Sequence, residues 1–183
     1  MKPLHEVLLT KGGVLAAGVL SLRPAVRADL PFISWLWTDP ETMAAVGGPL
    51  AVTAARMERW FSAMVDPGRP SDLYLLILAK DAQPIGEASL HRFDPVRGQE
   101  ELNIKVAASS RGNGYGRSAL LAMLRFFFDD AGGRLLLDDV APGNHAGQAL
   151  LASLGFHRDA SAQGVRRFSL SAAQWRALPW DSP

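Results

Sequence analysis

The most regular stretch of the chain is EELNIKVA at residues 100–107, where Leu102, Ile104 and Val106 alternate with Glu101, Asn103 and Lys105. A period of two marks a strand with one buried face. Upstream, LYLLILAK at 73–80 and PIGEASLHRF at 84–93 are apolar runs split by a short turn at Asp81 to Gln83. They predict a hairpin to which 100–107 adds a third antiparallel strand. The period then becomes helical. Leu120, Met123, Leu124, Phe127 and Phe128 recur at spacings of three and four through residues 114–130, closed by Gly132 and Gly133. A buried strand at 134–140, a helix at about 144–154 with Ala149, Leu150 and Leu154 inward, and weaker strands near 156–160 and 165–170 complete this half. Strands 100–107 and 134–140, joined through a helix, should run parallel with a right-handed crossover.

The first third predicts two short helices. Asp29 can cap one that carries Ile33, Leu36 and Trp37 on a single face and ends at Pro40; Thr53 caps another with Met57, Trp60, Phe61 and Met64 in a stripe. Residues 5–9 and 17–23 are apolar runs separated by Lys11, Gly12 and Gly13, which suggests a leading hairpin or loose arm over 1–17 ahead of a single domain at 18–183. VLAAGVLSL at 14–22 has the length of a signal-peptide core, but it runs into Arg23, Pro24 and Arg27 without a small-residue cleavage pattern and reads as a first strand. These elements describe an α+β fold, with a mostly antiparallel sheet of six or seven strands and helices on both faces.

Composition narrows the function classes. The 183 residues fit one domain, and nineteen Lys plus Arg against eighteen Asp plus Glu offer no bulk attraction to a polyanion or a membrane surface. Neither nucleic acid nor membrane is therefore expected as a partner. The absence of cysteine removes disulfides, thiolate metal sites and a cysteine nucleophile, and fits a reducing, cytoplasmic setting. No metal is expected.

Candidate chemistry gathers between the alternating strand and the long helix, in Ser109-Ser110-Arg111-Gly112-Asn113-Gly114-Tyr115-Gly116-Arg117-Ser118. Glycines at every second position let ligand and backbone approach closely, and amides at a helix N-terminus favour phosphate. Arg111 and Arg117 add charge, which points to a diphosphate; a plain flexible turn is the other reading. A Walker loop needs Gly-Lys followed by Ser or Thr, and a dinucleotide fingerprint needs a different glycine spacing near the start of a parallel domain, so neither fits.

RGNGYG at 111–116 resembles the Arg/Gln-x-x-Gly-x-Gly/Ala loop of the GNAT superfamily of N-acetyltransferases. Asn144 followed by a helix ending in Leu154-Gly155-Phe156 resembles its second signature, and Leu22-Arg23-Pro24 with Asp29-Leu30 its opening, so the likeness spans residues 20 to about 170. It implies acetyl-coenzyme A as co-substrate, with the diphosphate on the amides of Arg111 to Gly116, Arg117 and Ser118 beside it, and the pantetheine arm along Ile104, Lys105 and Val106 where two parallel strands splay. It also implies that Asn144 bonds the coenzyme arm; locally Asn144 is an equally good helix cap.

Direct attack of an amine on a thioester needs a base. Glu101, on the polar face of the coenzyme strand, is the first candidate and matches a Glu in the ribosomal-protein N-terminal acetyltransferase pattern, with Asn103 where that pattern has glycine. Glu87, beside Ser89 and His91, is the second, and Asp138 with Asp139 the third. Many members place a tyrosine as general acid seven residues after the Asn, a position held here by Leu151. Trp35, Trp37 and Glu41, near Gly47, Gly48 and Trp60, are the candidate acceptor residues, since aromatic walls with carboxylates suit a cationic amine. The resemblance thus implies an N-acetyltransferase acting on a primary amine of a small molecule or protein N-terminus, compatible with a homodimer; a catalytically silent acyl-coenzyme A sensor is the alternative.

Overall fold

A computed structural model describes residues 3–94, 96–159 and 164–179. Among them, eight strands form one sheet: β1 Leu15–Ala17, β2 Leu20–Pro24, β3 Leu73–Leu78, β4 Pro84–Asp94, β5 Gln99–Val106, β6 Leu135–Val140, β7 His157–Arg158 and β8 Arg166–Ser171, in the order β1-β2-β3-β4-β5-β6-β8-β7. Every neighbouring pair is antiparallel except β5 and β6. The strand count exceeds six or seven because residues 14–22 fold as a hairpin that turns at Gly18 and Val19, not as one strand. Residue 160, at the end of the expected strand 156–160, lies outside the described residues.

Alternation along β3 assigns its side chains to two cores. Leu73, Leu75 and Ile77 join a large cluster with α5 (Tyr115–Arg125) and α6 (His145–Ser153). Tyr74, Leu76 and Leu78 join a smaller one with Ile33, Leu36 and Trp37 of α2 (Leu30–Thr38) and Met57 of α4 (Ala54–Met64). A short α3, Pro40–Met43, follows α2 after Asp39, whose side chain accepts the Thr42 N–H at 2.8 Å.

Two expectations change at the N-terminal side. Residues Leu4–Thr10 are a helix, α1, and not half of a hairpin: Leu4, Val7 and Leu8 sit at i, i+3 and i+4 and are buried in the large core. Lys11, just past its end, pairs with Asp130 at 2.5 Å. Asp29 does not cap α2 either. It is buried, accepting two bonds from the Arg23 guanidinium at 2.7 and 2.8 Å and one from the Val26 N–H at 2.8 Å, and so fixes the turn that enters the helix.

The feature that positions a site lies between β5 and β6. These strands pair over only three rungs, Gln99 with Leu135, Glu100 with Leu136 and Glu101 with Leu137. Beyond them β5 continues beside β4 alone and β6 beside β8 alone. A wedge therefore opens toward the C-terminal ends of both strands, and α5 begins at its mouth.

Candidate active site

The glycine loop lies at that mouth. Gly112 and Gly114 have φ of 81° and 74°, a region that side-chain-bearing residues avoid, and a Cβ at either would meet nothing within 4 Å. The loop is thus held in a left-handed form with open space in front of it. Gly114 is the N-cap of α5, and the first intrahelical bond runs from Ser118 N–H to the Gly114 carbonyl at 3.1 Å. The amides of Tyr115 and Gly116 precede that ladder and point out along the helix axis. Gly116 lies where α5, α6 and β5 meet: a Cβ there would stand 3.4 Å from Leu150 of α6 and 3.9 Å from Val106 of β5, ordinary packing distances.

These three elements enclose a cleft of about 320 Å³ lined by Ile104, Lys105 and Val106, the loop residues Ser110 to Gly112 and Gly114 to Arg117, and Asn144, Gly147 and Leu150 of the α6 end. Of the predicted coenzyme residues, Asn113 and Ser118 do not line it; the Asn113 amide instead braces the loop by donating to the carbonyls of Ser110 and Arg111. Asn144 lines the cleft and caps α6, accepting the Gly147 N–H at 2.9 Å, so serving as the cap does not remove it from the cleft. Both arginines are tethered. Arg111 donates to the carbonyls of Val106 (3.0 Å) and Thr42 (2.7 Å), and Arg117 donates to the Ser153 hydroxyl at 2.8 Å. Their charge remains at the cleft while their side chains tie the loop to neighbouring elements.

Sequence reasoning missed Thr42. Its buried hydroxyl accepts the Ala108 N–H at 2.9 Å while its carbonyl takes Arg111, so one residue of α3 anchors both ends of the segment that precedes the loop. Thr42→Val keeps the shape and leaves the Ala108 amide unpaired, an expected loss of about 1 to 2 kcal/mol. Thermal unfolding should register that loss, and coenzyme affinity should fall with it; an unchanged melting curve would mean water replaces the hydroxyl.

The opposite face of β4 and β5 carries a row of charged groups. Register sets Glu87 beside Lys105, Ser89 beside Asn103 and His91 beside Glu101. Glu87 is buried and saturated: it accepts from Lys105 Nζ at 2.6 Å, from Trp37 Nε1 at 3.0 Å and from the Tyr74 hydroxyl. Burial, then the Glu87 charge, pushes the Tyr74 phenol up, so Tyr74 acts as a donor. Trp60 packs edge-on against both Trp37 and Tyr74 with centroids at 4.7 Å, closing an aromatic wall. Glu101, half-buried, accepts from Arg92 at 2.9 Å and lies 3.7 Å from His91 Nε2. Burial pushes the His91 imidazole down, in competition with the Glu101 charge.

Asp138 stands apart. The Glu101–Leu137 rung puts its neighbour Asp138 on the opposite face from Glu101, and no side-chain donor reaches it among the described residues. Burial, reinforced by Asp139, raises its carboxyl to about 7. Asp139 turns the other way and is held bidentate by Arg167 at 2.8 and 2.6 Å. The three candidate bases are thus not gathered on one surface: Glu87 and Glu101 share a face, and Asp138 faces the large core. The acceptor residues divide too. Trp37 belongs to the aromatic wall, whereas Trp35, two residues away and so on another side of α2, is 46% exposed and packs against Phe32. Glu41 is exposed on the first turn of α3. Leu151, at the position many GNAT members give to tyrosine, is buried in the large core.

No helix of the described residues is long and apolar enough to cross a membrane, and no group of three His, Cys, Asp or Glu among them could hold a metal ion. The family model described as acetyltransferase (GNAT) domain matches residues 20–157. Comparison with curated proteins returned no match. Among solved structures, spermidine N-acetyltransferase from Vibrio cholerae, in complex with CoA and spermine, superposes with a TM-score of 0.77 at 18% identity, covering 86% of this chain and 98% of that one. A GNAT-family acetyltransferase from Bacillus anthracis gives 0.72 at 12% identity, with 87% and 99% covered. At such identities these likenesses establish the fold, and the motif match over three quarters of the chain adds the family: the chain belongs to the GNAT acetyltransferases and is an acetyl-coenzyme A-dependent N-acetyltransferase.

Proposed function

We propose that the chain acetylates a primary amine of a small molecule or a protein N-terminus by direct attack, with Glu101 as the base. The observation that carries this reading is the wedge between β5 and β6: it leaves the strand edge at 102–106 unpaired beside the glycine loop. An extended pantetheine arm with two amides can pair with such an edge as a peptide does in strand addition. The diphosphate then rests on the loop amides and the α5 N-terminus, and a strand N–H polarises the thioester carbonyl as it gains negative charge.

The acceptor enters from the face of Trp37, Tyr74 and Trp60. There three carboxylates are matched by cations, Glu87 by Lys105, Glu101 by Arg92 and Asp139 by Arg167. A face so balanced suits a single ammonium better than a polyamine such as the spermine bound by the Vibrio cholerae enzyme. Glu87 already holds three donors, and Asp138 faces away from the aromatic wall, which supports Glu101 for proton removal. With Leu151 in the core, the thiolate leaves without a phenol at that position and takes its proton from water; its parent thiol, of pKa about 8.5, makes that departure feasible near neutrality.

An amine panel that includes monoamines, spermidine and short peptides, read by thiol release, tests this assignment. Monoamines or peptide N-termini should turn over, and Glu101→Gln should cost about 100-fold in kcat while calorimetric binding of acetyl-coenzyme A persists. The buried Leu151 also favours a second reading, a catalytically silent acyl-coenzyme A sensor, and tight binding without turnover of any amine would select it.

A further inference from the structure

Lys105 is placed unlike Lys11, which pairs with Asp130 at the end of α1, and unlike Lys80, which is exposed in the β3–β4 turn. It belongs to the stretch of β5 that pairs with β4 but not with β6, lines the cleft, and its side chain is only 17% exposed. Its ammonium turns to the other face of the sheet, 2.6 Å from Glu87 Oε1, 3.0 Å from Asn103 Oδ1 and 6.0 Å from the centre of the Trp37 ring. The bond to Asn103, two residues back on the same face, holds Nζ on the side of the strand opposite the Ile104 side chain. One residue thus lines the cleft and carries its ammonium on the acceptor face, bonded to a buried carboxylate and beside an aromatic ring. Those are the contacts that an incoming amine requires.

We propose that Lys105 Nζ is an intramolecular acetyl acceptor, so that the enzyme acetylates itself at this residue. The inference rests on the cleft being the acetyl-coenzyme A site. In the step, the ammonium passes one proton to Glu87, and the freed lone pair attacks the thioester carbonyl carbon. The nitrogen–carbon bond forms, the carbon–sulfur bond breaks and the nitrogen sheds a second proton. One of the two protons ends on the coenzyme thiol and the other in solvent, leaving an amide at Nζ. No oxidant or further reactant is needed. Acetylation removes the cation facing Glu87 and leaves that carboxylate with Trp37 and Tyr74 as its donors, which turns a neutralised site into one that favours a positively charged amine.

The wild-type protein, incubated with acetyl-coenzyme A and no added amine, should gain the mass of one acetyl group. Peptide mapping, whether of protein as purified or after incubation, should place that group on Lys105, formed at least about tenfold faster than on Lys11 or Lys80, because a positioned amine gains the advantage of proximity. Lys105→Arg should abolish the increment. If calorimetry shows acetyl-coenzyme A bound and Lys105 stays unmodified, or reacts no faster than Lys11 and Lys80, self-acetylation is refuted and the cleft assignment survives. If no binding is seen, both fall. Equal modification of Lys105 in a Gly114→Glu variant that binds no coenzyme would also refute it, by showing that the reaction needs no bound donor.

Discussion

Gly114→Glu abolishes acetyl-coenzyme A binding while Gly114→Ala retains it: this pair of results is expected because two different properties of the loop are separated by the two variants. Gly114 has a φ of 74°, so either substitution strains the backbone, by on the order of 1 kcal/mol. Its Cβ direction is open, so alanine meets nothing and should keep affinity within about tenfold. Glutamate projects a carboxylate into the mouth of the cleft, where it faces a diphosphate. At a separation of 4 Å and the effective dielectric of a protein surface, one like-charge contact costs about 4 kcal/mol, roughly a thousandfold in affinity. Calorimetry on both variants decides the matter. Glutamate binding as well as alanine would remove the diphosphate from this loop, and alanine binding as poorly as glutamate would reduce the effect to backbone strain.

The second large effect is on stability. Glu100, the second residue of β5, has its side chain on the face of the large core, fully buried, and neither carboxylate oxygen has a hydrogen-bond partner among the described residues. Burial first, then the charges of Asp72 and Glu101, raises its carboxyl from 4.5 to about 8. At neutral pH the folded chain therefore holds this carboxyl protonated, whereas the unfolded chain ionises it. The sign is fixed by that difference. Folding takes up a proton at this group, so the contribution of Glu100 to stability is most favourable below pH 4.5, declines as pH rises toward 8 and then levels off. Glu100→Leu removes both the titration and the unpaired oxygens. It should be more stable than wild type by about 2 to 3 kcal/mol at pH 7, a rise of several degrees in melting temperature, with a far smaller gain at pH 4.5. Because only the difference between the two proteins is read, the similar titration of Asp138 cancels. A gain that stays constant between pH 4.5 and 8 would locate it in packing and not in the proton.

Much of the architecture was legible because its periods are long and clean. The alternation at 100–107 and the apolar spacing at 114–130 leave little choice of element, and the glycine spacing from Gly112 to Gly116 marks the passage from a strand into a helix. Short elements were harder. Val7, Leu8 and Leu9 form an apolar run that suits strand or helix equally, and only the burial of Leu4, Val7 and Leu8 decides for α1. The terminal helix α7, Ala172–Ala177, went unread although Ser171 and Gln174 form a capping box three residues apart, a signal the chain does display. The candidate site was legible in its residue types and not in its pairings. That Lys105 would reach Glu87, Arg167 would hold Asp139 and Asp138 would turn away from Glu101 depends on strand register and on where two strands part. A sequence without its register carries neither. Trp35 and Trp37 illustrate the same limit, being adjacent in composition and separate on the helix.

The three-rung join between β5 and β6 carries a mechanical meaning of its own. Strands β1 through β5 and strands β6, β8 and β7 share side chains in the large core, but their backbone hydrogen bonds to one another run along one short seam. An arm of coenzyme lying in the wedge would serve as an inserted strand that lengthens the seam, so the ligand would act as a splint for the sheet as well as a donor of acetyl. Loading would stabilise the fold with the logarithm of one plus the coenzyme concentration over its dissociation constant, and each product release would withdraw that contribution.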